Sequence, residues 1–217
     1  MKKYLSLILI FTVAFAMVSC GGDEPRKPDK PETEKPTEPE TPGGSDKPDE
    51  PGKPDEPSGN GKILVAYFSW GETTRRMAQQ ISQQTGATLF EIEPVTPYPS
   101  AYTPTTEVAL QEKNSNARPA IKAKVENWND YDTVFIGCPV WWWTTPMIIH
   151  TFTESYDFKG KTVVPFCTYA ATYRDETLAE IVNITPDAKH LQGLGLTSGE
   201  ISESRIKTWL SDIKILK

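Results

Sequence analysis

The chain is poor in the residues that carry most acid–base and nucleophilic chemistry at neutral pH. It has two histidines, His150 and His190, and three cysteines in 217 residues. No G-x-S-x-G or H-E-x-x-H occurs, so neither a serine hydrolase nor a zinc peptidase has its residues in place. His150 stands beside Ile148 and Ile149 in an apolar stretch and reads as structural. Positive charge is not in excess: 23 Lys and Arg face 29 Asp and Glu, with a sequence pI near 5.1. That balance removes the electrostatic basis for nucleic-acid binding. Residues 21–61 contain no aromatic side chain at all, and a segment without aromatics and rich in charge has nothing from which to build a core.

What is present falls into three different materials. Residues 1–20, "MKKYLSLILIFTVAFAMVSC", begin with Lys2 and Lys3, continue as an apolar run and end in small residues. This is the pattern of a secretory signal peptide; the run is shorter than the roughly 20 apolar residues of a stable membrane helix. Its end, Ser19-Cys20-Gly21-Gly22, resembles a bacterial lipobox, which implies lipidation of Cys20 and anchoring to a membrane. The alternative is an ordinary signal with an incidental cysteine. Residues 21–61 hold 10 of the 19 prolines, 12 acidic and 6 basic residues, with "KPDEP" at 47–51 and again at 53–57. The expectation is a disordered, solvated and semi-extended spacer. At about 3.1 Å per residue it would reach on the order of 120 Å. Asp23 and Glu24, just after the cysteine, resemble surface-export signals of bacterial lipoproteins. The localisation expected is the cell envelope, lipid-anchored and surface-exposed. Residues 62–217 are long enough for one well-buried domain. The signal contributes +2 and the spacer −6 to a total of −6, which leaves this domain near −2.

Within the domain, apolar runs alternate with helical patterns. "KILVAYF" (62–68), "YDTVFIGCPVW" (131–141) and "KTVVPFCTY" (161–169) read as strands buried on both faces. "TLFEIEP" (88–94) alternates and reads as a half-exposed strand, and "KHLQGLGLT" (189–197) as a last one. Residues 73–86 place Met77, Ala78 and Ile81 at helical spacing and stop at Gly86. A Pro/Tyr-rich loop (94–104) leads to a short polar helix. Further helices are expected at 145–158, begun near Pro146, at 174–183 and at 198–213, the last with Ser198 or Ser202 as cap. Alternation of this kind predicts an α/β fold with a doubly wound, five-stranded parallel sheet in the order 2-1-3-4-5. Ligands bind such sheets outside the carboxyl ends of the strands, where the order reverses. The loops at that edge are 69–74, 139–146 and 168–174. Cys138 and Cys167 end strands that this order makes neighbours, so two buried thiols and a disulfide are both open.

The segments "ILVAYFSW", "FEIEPVTPYPSAY", "ARPAIKAKVENWNDYDTVFIGCPVWWWTTPM" and "TFTESYDFKGKTVVPFCTYA" resemble the flavodoxin-like proteins of bacteria. The resemblance covers nearly all of 62–217. It implies a flavodoxin-like fold, flavin mononucleotide (FMN) as cofactor, and electron transfer or flavin-dependent reduction with a redox partner that the sequence does not name. It requires no catalytic side chain from the protein and no metal, because the flavin carries the electrons. The family pattern is F-S-x-S-G-N-T in the first loop, P-I-W-W-G-T in the second and T-[SH]-G-G-S-G in the third. The residues it points to here are Ser69, Trp70, Gly71, Thr73 and Thr74 for the phosphate, Pro139, Trp141, Trp142 and Trp143 for the ring, and Thr168 and Tyr169 at its polar edge. The chain departs from the pattern in each loop. Glu72 takes a glycine position where an anion would sit, Trp143 takes the glycine of the second loop, and Tyr169-Ala170-Ala171-Thr172 replaces the glycine-rich turn. A carboxylate facing a phosphate opposes binding. Two readings therefore stand: an exported FMN protein, or a degenerate flavodoxin-like domain without FMN that serves as a surface-anchored binding module.

Overall fold

The computed structural model describes residues 61–216. The signal peptide, Cys20 and the spacer up to residue 60 lie outside the described residues. Six strands and five helices follow in the order β1 (Lys62–Tyr67), α1 (Thr73–Thr85), β2 (Thr88–Glu91), α2 (Tyr102–Asn114), β3 (Tyr131–Pro139), α3 (Met147–Glu154), β4 (Thr162–Thr168), α4 (Arg174–Asn183), β5 (Lys189–His190), β6 (Leu194–Leu196) and α5 (Glu203–Asp212). A single 3-10 turn, Trp128–Asp130, leads into β3. All pairings in the sheet are parallel, and its order is β2-β1-β3-β4-β5, with β6 on the same edge of β4 as β5.

The predicted last strand is thus two short segments rather than one, and β4 supplies the reason. Pro165 lies in the middle of β4 and has no N–H to donate. Leu191 N–H donates to the Val163 carbonyl, so Val163 presents its backbone to the last strand. Residues two apart in a strand face the same neighbour, so the missing donor of Pro165 falls on that side too. Pairing resumes at Phe166↔Leu194. In the gap, Gly193 approaches so closely that a Cβ there would stand 2.8 Å from the Pro165 carbonyl oxygen.

Alternation along the strands sends side chains to two cores. On one face Val65, Tyr67, Phe135, Val164, Phe166 and Leu196 meet Met77, Ala78 and Ile81 of α1 and Ile206, Trp209 and Leu210 of α5. On the other, Leu64, Ala66, Val134, Ile136, Cys138 and Val163 meet Ile148, Ile149 and Phe152 of α3 and Ile181 of α4. Gly86, at φ 70°, ends α1 in the left-handed conformation that glycine adopts without strain. Pro146 is the N-cap of α3, which stops at Glu154, four residues short of the predicted end. Of the two candidate caps for α5, Ser202 does the work: its hydroxyl accepts from Arg205 N–H. The helix α2 differs from the rest. Only Thr105 and Ala109 of it are buried, and it packs beside α3 rather than on the sheet.

Cys138 and Cys167 are register partners on β3 and β4. Both are buried and both are free thiols. The expected proximity is present, and of the two open readings the structure has the reduced one.

Candidate functional site

The carboxyl ends of β1, β3 and β4 open onto two adjoining cavities, each of about 470 Å³. They share Trp70, Val140, Trp141 and Ala170. Each residue that the resemblance assigns to phosphate, ring or polar edge lines one or both.

The inner cavity is a hydroxyl cradle. Ser69, Thr73, Thr74 and Thr168 line it together with Gly71, Pro139 and Tyr169. Thr73 and Thr74 are the first two residues of α1, so the positive end of that helix opens into the cavity. Ser69 Oγ accepts from Arg75 N–H at 3.2 Å, fastening the loop to the first turn. Thr74 and Thr168, 2 % and 4 % exposed, join their hydroxyls at 2.7 Å and so tie the first loop to the third. A fourth wall, Thr197-Ser198-Gly199 between β6 and α5, completes the cavity. The sequence pattern points to three loops and not to this one. Its signal was a Thr-Ser-Gly run directly after the last strand.

Glu72 does not line this cavity. Its side chain is 66 % exposed and bonded to Arg75, whose guanidinium also takes Glu91, with Nε 3.2 Å from Oε2. Tyr67 Oη donates to the same Glu91 carboxylate at 3.2 Å. These carboxylates raise the pKa of Arg75, which stays charged. Burial and the Glu91 charge raise that of Tyr67, which stays protonated. The obstacle expected from the sequence is therefore turned aside, because Arg75 offers the carboxylate a partner outside the cradle.

The outer cavity is aromatic. Trp141 turns inward, packing edge-to-face on Phe68 and Tyr98 with centroids at 5.2 and 5.0 Å. Trp142 is fixed by its indole N–H, which donates to the Thr106 carbonyl of α2 at 2.7 Å. Trp70 is fixed likewise on the Pro99 carbonyl at 2.9 Å. Trp143, 57 % exposed, stands at the rim against Tyr173, centroids 5.6 Å apart, with Lys113 Nζ 5.0 Å from its ring centre. Lys113 also donates to the Trp142 carbonyl at 2.6 Å. Trp143 thus leaves the ring site open. Tyr102, Thr105, Thr106 and Ala109 of α2, and Ala170 to Tyr173, form the other walls. The α2 residues carried no sequence signal, since nothing local reveals that this helix leaves the sheet for its edge.

Glu72, Trp143 and Tyr173 share a backbone feature. Their φ angles are 63°, 72° and 63°. They occupy the glycine positions of the three loop patterns, Tyr173 being the last of the third. Each costs about 1–2 kcal/mol in a residue with a Cβ, and such strain persists only where surrounding contacts impose it. The loops have kept a glycine-like path while acquiring side chains.

No charged side chain lines either cavity. Among the described residues, no group of three or more His, Cys, Asp or Glu could hold a metal ion, and no helix is long and apolar enough to cross a membrane. The arrangement suits a ligand with an anionic end and a flat aromatic end.

Comparison with known proteins points the same way. The family model for flavodoxin matches residues 62–213. A candidate flavoprotein from Bacteroides eggerthii is 38% identical, with a TM-score of 0.63 over 73% of this chain and 100% of that one. A second, from Bacteroides uniformis, is 34% identical, with a TM-score of 0.62 over 70% of this chain and 98% of its own. A Lactobacillus acidophilus flavoprotein solved in complex with FMN shares the fold at 23% identity and a TM-score of 0.58, over 69% of this chain and 98% of its own. No curated protein matches the chain.

Proposed function

The chain belongs to the flavodoxin family, and from that premise we propose that it binds FMN and takes part in electron transfer or flavin-dependent reduction at the cell envelope. One observation carries the reading: a hydroxyl cradle at the positive end of α1 runs directly into a tryptophan-lined cavity, with Trp70, Val140, Trp141 and Ala170 common to both. The cradle fits a phosphate, since helix N-termini and hydroxyls are the ordinary neutral recognition set for one. Ser69, Thr73, Thr74 and Thr168 would hold it. Trp70 and Trp142, each fixed by an indole hydrogen bond, would flank the ring. Bound FMN supplies the redox chemistry; the protein's own residues bind it, orient it and exclude water.

The electron donor and acceptor are a redox partner outside this chain. Residues 1–20 and Cys20 support export with a lipid anchor, and residues 21–61 support a spacer that holds the domain off the membrane.

The test is reconstitution. The purified protein, titrated with FMN, should turn yellow and quench flavin fluorescence saturably, with FMN bound more tightly than riboflavin. A second reading, a surface binding module without flavin, rests on the exposed Tyr102, Trp143 and Tyr173. Absence of saturable quenching would leave that reading standing and end the first.

A further inference from the structure

The hydroxyl cradle has a physical deficit. A phosphate ester carries close to two negative charges at neutral pH, yet no lysine, arginine or histidine lines the cradle. The domain around it is itself slightly acidic. Hydroxyls and a helix end stabilise an anion but leave its charge unbalanced.

Two arginines stand in the first turn of α1 beside the cradle, and their situations differ. Arg75 is held by two carboxylates, Glu72 and Glu91. Arg76 has no carboxylate within ion-pair distance among the described residues. Its Nη2 donates to Ser198 Oγ at 2.8 Å and to the Ser198 carbonyl at 3.3 Å. Ser198 is a wall of the cradle. The nearby acid on that wall's loop, Glu200, accepts from Thr197 N–H and Oγ1 and pairs with Arg205 at 3.1 Å. Its charge is balanced without Arg76. Of the other cations near the site, Lys113 sits at the aromatic end, and Arg174, which interacts with Tyr169, is paired with Asp175 at 2.8 Å.

We propose that Arg76, docked on Ser198, is the specificity-determining residue that makes this site select a phosphorylated flavin over its neutral counterpart. The inference rests on the flavin reading above and deepens it. Arg76 acts in two ways. It closes the fourth wall by bridging α1 to the 197–199 loop, and it places an unneutralised positive charge one hydroxyl away from the anion. Only the second effect distinguishes ligands, since a misplaced wall weakens both alike. At the surface such a charge acts through water and is screened by salt.

Wild type, Arg76→Gln and Arg76→Lys are titrated with FMN and with riboflavin, by flavin fluorescence quenching, at about 50 mM and about 500 mM salt. Arg76→Gln keeps hydrogen-bonding capacity and loses the charge. It should weaken FMN about five- to tenfold at low salt, leave riboflavin within about twofold, and lose most of that difference at high salt. Arg76→Lys should recover most of the FMN affinity. Equal weakening of both ligands in Arg76→Gln, or no weakening of FMN, overturns the proposal while the flavin reading stands. Wild type that binds riboflavin as tightly as FMN does the same. Wild type that binds neither flavin ends the flavin reading, and this inference with it.

Discussion

Residue 72 combines two apparent liabilities, a carboxylate beside an anion site and a Cβ at φ 63°. The structure separates them. The charge is taken by Arg75, so it acts weakly on the cradle, whereas the backbone strain remains in full. Glu72→Gly should therefore act on stability more than on binding. Relief of the left-handed conformation gains about 1–2 kcal/mol, offset by loss of an exposed ion pair worth about 0–1 kcal/mol. The net should raise the melting temperature by about 2–5 °C, with FMN affinity changed less than about threefold. Thermal melts and flavin titration of the same preparation check both. A tenfold gain in FMN affinity would mean that the carboxylate does face the phosphate.

At the scale of elements, β3 and β4 bring Cys138 and Cys167 side by side with both thiols protonated. Burial pushes Cys167 up to about 12 and Cys138 well above its ordinary value, the neighbouring Cys167 adding to the latter. The native protein at about pH 8 should resist alkylation at both positions, and both should react in denaturant without reductant, as peptide mapping would show. Protection that survives denaturant and yields only to reductant would mean a disulfide. The same shifts predict a pH dependence. The folded pKa values lie above the unfolded value near 9, so below pH 9 both states keep their thiol protons and stability is intact. Above it the unfolded chain loses protons first, and stability falls as pH rises towards 12. Chemical denaturation of Cys167→Ala should show a shallower fall over that window than wild type.

For the molecule as a whole, the site lies where the strand order reverses between β1 and β3, since there the loops diverge and leave a crevice. If Cys20 is lipidated, the wild-type protein made in a bacterial host should partition into the detergent phase on Triton X-114 separation, and Cys20→Ser should stay in the aqueous phase. Because the anchor would be attached at this one residue, the single change suffices. Aqueous partitioning of both would end the lipoprotein assignment and leave the flavin site unaffected.

The sequence by itself determined the fold class, the parallel order of the sheet and the edge at which the cavities lie. These follow from local signals: apolar runs such as 62–68 and 131–138, helical spacing in 73–86, and the rule that parallel strands meet at a switch point. The resemblance to flavodoxin-like proteins, carried over residue by residue, named cavity-lining residues in the first three loops, but not the 197–199 wall or the α2 residues. Only the tertiary structure decided how those residues are used. Trp141 turns into the core while Trp142 and Trp143 turn out, according to contacts with Tyr98, Thr106 and Tyr173. Glu72 faces away because Glu91 positions Arg75 beside it. The fourth wall of the cradle is Ser198, 122 residues along the chain from the Arg76 that holds it. The last strand divides because Pro165, on another strand, lacks a donor. In each case the deciding partner is distant in sequence, and a local pattern has no access to which distant group will satisfy a charge, a hydrogen bond or a ring face.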